Sequence, residues 1–355
     1  MRRVLLVTLL LVAGLTAFII LLFAPNSWQC TNPAVNAVTW NQALDQILVQ
    51  YIPGQRVELW NGAKEQLDHQ FVFAGQTAPI RSLAFAPDGK TIITGSQDHS
   101  AVMWDAQSGK VIGSLMGHTG EVTSIAYSPD GKTVATGSDD GTAILWDVQN
   151  KTRLQTLSGH TGSVKSVAYS PDGKTVLTGS YDRTAILWDA ETGTPLRKLQ
   201  GHTAAVISVA YAPDGKTVLT GSQDNVAILW NVTSGAPLHI LHGHSDQVDS
   251  VAFSPDGKTI VTGSYDRSAI LWDAATGILL HKLEGHMAGV KTVAFSPDGK
   301  VVLTGSYDGF IMMWDVHSGS LLHPLCSRVL GRSYALPVLG LCLLLVGSRL
   351  LNFQR

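Results

Sequence analysis

Short apolar runs, each closed by a cluster of turn-forming residues, recur along residues 29–326. The pattern is clearest in YSPDGKTVLTGSYDRTAILWDAETGTPLRKLQGH, residues 169–202. Its four β-prone runs are of the types Val-Ala-Tyr, Thr-Val-Leu-Thr, Ala-Ile-Leu-Trp and Leu-Arg-Lys-Leu, separated by Pro-Asp-Gly-Lys, Ser-Tyr-Asp-Arg and Glu-Thr-Gly turns. Such spacing predicts a four-stranded antiparallel meander. Trp104, Trp146, Trp188, Trp230, Trp272 and Trp314 follow one another at intervals of 42 residues, and a constant interval of that size marks stacked supersecondary units. A sheet that is apolar on both faces cannot bury itself, so the units must pack face to face, and sheet twist carries the series around a ring.

The two ends read differently. Val4 to Phe23 is a run of twenty residues without a charge, preceded by Arg2 and Arg3; it is long enough to cross a hydrocarbon core of ~30 Å. Leu22-Phe23-Ala24 puts Leu where a cleavage site prefers a small residue, so a retained signal anchor over residues 1–27 is expected. Residues 333–348 are also uncharged. As a helix they would reach about 24 Å, and with snorkelling arginines on either side they predict a second transmembrane helix within residues 328–355. No Lys or Arg follows the first run until Arg56, which places the intervening domain, residues 28–327, outside the cytoplasm.

Composition narrows the function. The 25 Lys and Arg nearly balance 27 Asp and Glu, and 45% of residues are apolar, so neither disorder nor a nucleic-acid-seeking polycation is expected. The 35 Gly and 14 Pro suit many short elements joined by tight turns.

The Gly-His before each unit and the Trp-Asp ending its third run resemble the WD40 repeat family of β-propellers, and the Ser-Pro-Asp-Gly-Lys wording resembles its bacterial members. The resemblance implies an all-β propeller flanked by the two terminal helices. Seven blades are expected, with six as the alternative, because the first unit departs from the pattern. Trp60 is followed there by Asn61, and the Pro-Asp-Gly-Lys turn and the Gly-His are missing. Its strands remain legible in Val35, Val38 and Trp40, in Gln46 to Tyr51 and in Val57 to Trp60.

A His, a Thr, an Asp and a Trp recur in each of five units: His118, Thr136, Asp140, Trp146; His160, Thr178, Asp182, Trp188; His202, Thr220, Asp224, Trp230; His244, Thr262, Asp266, Trp272; and His286, Thr304, Asp308, Trp314. Imidazole, hydroxyl and carboxylate suggest a hydrolase triad, but an enzyme needs one such site and not five. The resemblance implies a structural tetrad instead, with no catalytic residue. Gln76 replaces the His in the unit ending at Trp104, so the N-terminal third is expected to be the least stable. His239, His242 and His244 resemble a metal cluster. In register, however, His239 matches His281 and His323 on other blades, and His244 belongs to a tetrad. Neither a metal nor a cofactor is expected.

Cys326 and Cys30 align to neighbouring positions of one inter-unit junction, so a closed ring would bring them together as a disulfide across the seam. Cys342 falls in the second apolar run. Function is sought in the turn between second and third strands, which varies: Gln97 and His99, Asp139 and Gly141, Tyr181 and Arg183, Gln223 and Asn225, Tyr265 and Arg267, Tyr307 and Gly309. In the family this turn lies on the face that binds peptides, and Tyr and Arg dominate interface energetics. Tyr181, Arg183, Tyr265, Arg267 and Tyr307, helped by Gln97, are therefore the expected partner-binding residues of a membrane-tethered protein or peptide scaffold. The alternatives are a propeller enzyme or small-ligand binder using the central channel, and a structural or adhesive module. The channel reading calls for an asymmetric cluster of acids or histidines on innermost strands that instead read Val-Ala-Tyr or Val-Ala-Phe.

Overall fold

The computed structural model describes residues 33–41, 46–51, 56–61, 66–72 and 78–325. Both predicted membrane helices, the Cys30–Cys326 pair, Cys342 and Gln76 lie outside them. No helix among the described residues is long and apolar enough to cross a membrane.

The described residues form seven four-stranded antiparallel sheets, each paired in chain order. The blades span residues 35–72, 80–116, 122–158, 164–200, 206–242, 248–284 and 290–325. Seven blades form, and the atypical first unit is one of them: Val35–Asn41, Gln46–Tyr51, Arg56–Asn61 and Gln66–Val72 pair in sequence. Each first strand touches the first strands of the two neighbouring blades, and blade one meets blade seven. First strands therefore ring the hub, and fourth strands form the rim.

Apolar side chains on both faces of the middle strands place the core between blades. Ala135, Ala143, Leu145 and Leu157 of blade three close on Val164, Val167, Val176, Ile186 and Trp188 of blade four, and the same construction repeats around the ring. Two glycines show how tight the seams are. A Cβ on Gly179 would sit 2.7 Å from Val209 Cγ1 and 2.8 Å from Val206 Cγ1 of the next blade. One on Gly159 would sit 2.9 Å from Trp188 Cη2, so the glycine before the histidine makes room for the indole.

A second device bolts the hub. Ser124, Ser166, Ser208 and Ser250 each accept a hydrogen bond from the next blade's backbone, at Val167 (3.0 Å), Val209 (3.1 Å), Val251 (3.1 Å) and Val293 (3.1 Å). Thr292 does the same for Val38 at 3.2 Å, across the seam that closes the ring. There Val35, Val38, Ile47, Val49 and Tyr51 pack on Leu303, Ile311 and Met313. Blade seven draws its four strands from its own stretch of chain and exchanges none with blade one.

Blade one departs from the rule at its other seam. Gln50 pairs with Ala37 as Gly179 pairs with Ser166. Ala37 offers no hydroxyl, and the buried Gln50 donates from Nε2 to Ile80 O at 2.6 Å. Asn36 adds a bond to Arg81 O at 3.2 Å.

Candidate functional site

The five sets of His, Thr, Asp and Trp are continuous chains of hydrogen bonds. In blade four, Trp188 Nε1–H donates to Thr178 Oγ1 at 2.8 Å, His160 Nε2 lies 2.7 Å from that oxygen, and His160 Nδ1 lies 2.8 Å from Asp182 Oδ2. The same Asp accepts from Thr161 N at 3.0 Å and Thr184 N at 3.0 Å. The chains through Trp146, Trp230, Trp272 and Trp314 match it. The indole N–H donates to the Thr oxygen; with the imidazole neutral and its Nδ1–H donated to the carboxylate, Nε2 accepts from the Thr hydroxyl.

The electrostatics agree with a neutral ring and a charged acid. Burial pushes His160 below its ordinary value, against the pull of Asp182. Burial draws Asp140 upward, but bonds from Thr142, Thr119 N and His118 outweigh it and hold the carboxyl at about 2. Asp224 is likewise brought to about 2, by His202 and Thr203 N against its burial. Thr178 is fully buried, and the chain of bonds ties the entry loop to the second strand and to the turn after it. Blade two keeps only part of the set, with Trp104 Nε1 donating to Thr94 Oγ1 at 2.8 Å. In blade one Val49 stands opposite Glu58, as Thr178 stands opposite Ile186.

These chains tie the Gly-His loops to the second-to-third turns, so both lie on one face of the ring. Tyr181 and Tyr265 are 48% and 49% exposed there. Arg183 (φ 70°) and Arg267 (φ 74°) occupy left-handed backbone at the register where blades three and seven place Gly141 (φ 84°) and Gly309 (φ 82°). An Arg there costs of order 1 kcal/mol relative to Gly, so the turn itself does not ask for it.

Tyr265, Arg267 and Tyr307 come together. The two phenol rings meet edge to face at 5.7 Å and 66°. Ser245, Asp246, Ala288 and Gly289 complete a cavity of about 430 Å³ between blades six and seven. Tyr181 and Arg183 stand apart on blade four, where Lys165 Nζ lies 4.5 Å above the Tyr181 ring and 2.5 Å from Asp139 Oδ1. Gln97 is separate again. Its carboxamide oxygen accepts from the Arg81 guanidinium, whose Nε also reaches Glu121 Oε2 at 3.0 Å. It joins a cluster of blades two and three, away from Tyr181, Tyr265 and Tyr307.

The innermost strands are also less uniform than their Val-Ala-Tyr endings suggest. Their second positions hold Asn36, Arg81, Thr123, Lys165, Ile207, Asp249 and Lys291. The Asp249 side chain is 1% exposed, accepts from Gln247 Nε2 at 3.0 Å and lies 3.7 Å from Lys291 Nζ. Burial raises its pKa against the opposing charge of Lys291. These residues share one register position, which the apolar endings of the same strands do not reveal.

His239 and His281 are placed by the repeat, each with Nε2 2.9 Å from a carbonyl oxygen of the next blade, Ala275 and His317 respectively. Among the described residues no group of three His, Cys, Asp or Glu side chains has the spacing to hold a metal ion.

Among curated proteins no sequence matches the chain. The family model for the WD domain, G-beta repeat, matches six stretches, residues 67–105, 109–147, 151–189, 193–231, 235–273 and 277–315. Each match joins the rim strand of one blade to the first three strands of the next, as 151–189 joins Thr152–Ser158 to blade four. Repeat and blade are thus out of phase by one strand, and every repeat crosses a seam. With those stretches covering well over half its length, the chain belongs to the WD40 repeat family, β-propellers that typically serve as protein-interaction scaffolds.

Proposed function

We propose that this propeller is a non-catalytic scaffold that docks proteins or peptides on the face carrying the Gly-His loops. Terminal helices hold it at a membrane, with the propeller outside the cytoplasm. One observation carries the docking surface: among the described residues of a ring of near-identical blades, this face gathers exposed tyrosines beside arginines in left-handed backbone. Rigid phenols and guanidinium forks supply contact area and charge at little entropic cost on binding. The charge asymmetry around Val4–Phe23 supports the membrane placement.

The test replaces Tyr181, Tyr265 and Tyr307 with Ala in the full-length chain and compares captured proteins with wild type. Loss of specific partners with an unchanged melting temperature is expected, and an unchanged set removes the docking face. Protease protection in intact cells checks the placement, since a cytoplasmic propeller would survive external protease. The channel reading keeps one observation, the buried Asp249, whose Oδ1 accepts from Gln247 while Oδ2 faces Lys291 Nζ at 3.7 Å without a hydrogen bond.

A further inference from the structure

We propose that the cavity between blades three and four, on the face opposite the Gly-His loops, is a second docking site and seats an arginine side chain of a partner protein. It is independent of the docking face above, since it lies at the other ends of the strands and uses none of the same residues.

The cavity, of about 470 Å³, opens where the Pro-Asp-Gly turns of blades three and four meet the third-to-fourth turn of blade four. Its walls are largely apolar. Buried Leu145, half-exposed Leu154, Pro129 and Ala190 line it beside Tyr169, whose hydroxyl is paired with Thr133 Oγ1 at 3.0 Å. The aliphatic stem of a long basic side chain can lie on such a wall while its charged head reaches past it.

The charges point the same way. Four carboxylates, of Asp130, Asp172, Asp189 and Glu191, line the cavity against one ammonium, of Lys174. The turns use one oxygen of each aspartate: Asp172 Oδ1 accepts from Ser170 Oγ at 2.7 Å and Lys174 N at 3.1 Å, and Asp189 Oδ1 accepts from Thr192 N and Oγ1 at 2.8 Å each. These bonds hold both carboxyls below their ordinary value, so both are charged at neutral pH. They leave the second oxygen of each open, and among the described residues the Glu191 carboxylate makes no hydrogen bond or ion pair. Lys174 forms no salt bridge with any of the four, unlike Lys132, Lys258 and Lys300, which lie 3.6–3.9 Å from the Asp of their own turns. What the site offers is therefore acceptors spread over separate turns, and the planar five-donor head of an arginine suits them better than a point charge. Among the described residues no group of three such acids has the spacing to hold a metal ion.

Glu191 sets this seam apart. Its register holds Gln107, Gln149, Thr233, Ala275 and His317 in other blades, so the turn itself does not ask for an acid. Gln155 Nε2 of blade three donates to Glu191 O at 2.9 Å. The blade that supplies Asp130 thus also fixes the turn that carries Glu191.

The test titrates labelled peptides of one Gly-Ser frame, carrying a central Arg, citrulline or Glu, against the full-length chain. The Arg peptide is expected to bind roughly tenfold tighter than its neutral isostere citrulline, with Glu weakest, and added salt narrows the gap. Glu191→Gln removes most of the preference and leaves the melting temperature unchanged, and Lys174→Ala increases it. Glu284→Gln, an equal change of charge on the rim of blade six, leaves it as in the wild type. Equal binding of Arg and citrulline, a preference that survives Glu191→Gln, the same loss in Glu284→Gln, or no binding by any peptide overturns the proposal. So does displacement of the Arg peptide by calcium chloride but not by sodium chloride of equal ionic strength, which would make the occupant a metal ion. The variant lacking Tyr181, Tyr265 and Tyr307 keeps the Arg preference. Its loss there would move the contact to the Gly-His face and overturn this reading, whereas an unchanged set of captured proteins removes only the other.

Discussion

Asp182 and Asp172 both lie in turns of blade four, yet only Asp182 ends a buried chain of donors. Replacing it with Ala leaves the buried His160 Nδ1–H without an acceptor, at ~1–3 kcal/mol, and also loses the bonds from Thr161 N and Thr184 N. Asp172 holds Ser170 Oγ and Lys174 N in an exposed turn. Asp182→Ala should therefore cost about 2–4 kcal/mol in urea unfolding, and Asp172→Ala about 1 kcal/mol or less. Equal losses would refute the structural tetrad. The same series should depend on pH. His160 is depressed below 6.5, and Asp140 and Asp224 lie at about 2 against an ordinary 3.8. In each case the unfolded chain binds more protons, so stability is complete above pH 6.5 and falls as the pH falls, first through His160 and then below 3.8 through the carboxylates. Every tetrad residue was legible in the sequence because hydrogen-bonding groups repeated at fixed spacing. Gln50 was not, because it does its bonding alone, in the one blade that breaks the pattern.

A blade is stable only through its neighbours, and the residues that let neighbours approach are as decisive as those that fill the seam. Gly179→Ala would drive a methyl into Val206 and Val209, and overpacking of this kind costs about 1–3 kcal/mol. Gly173→Ala, in the turn at φ +71°, meets no atom nearer than 3.5 Å and costs about 1 kcal/mol through its backbone alone. Urea unfolding of the two variants should rank them in that order, and the reverse ranking would mean that the seam relaxes. The turn register of this element was also legible, since the varying pairs mark it. Which turns meet was not: Tyr265 and Tyr307 are 42 residues apart and touch only because adjacent blades bring successive turns side by side.

Among the described residues the ring has one seam, between blades seven and one, that no chain segment crosses. Each family repeat spans two blades, which stitches six seams covalently, while among the described residues blades seven and one meet through packing and Thr292. Blade one also lacks the tetrad. Amide exchange should therefore be faster in residues 35–72 than in residues 164–284. A disulfide between Cys30 and Cys326 would add the missing stitch, with roughly 4–5 kcal/mol in the chain-entropy model. Peptide mapping without reductant should then recover the two cysteines joined, and reduction should speed exchange in blades one and seven while leaving blade four unchanged. Two free thiols would remove the bridge.

What the sequence determined alone is whatever repeats: strand, turn, tetrad and the count of blades, including an irregular first one whose apolar alternation survived the loss of its motifs. Repetition makes such features local, and local features need only propensity and periodicity to be read. The tertiary structure decided what does not repeat. It separated Gln97 from the tyrosines, gathered Tyr265, Arg267 and Tyr307 around one cavity, buried Asp249 against Lys291, and closed the ring without exchanging a strand. Those outcomes depend on which side chains meet across a seam, and seams exist only once the sheets have packed.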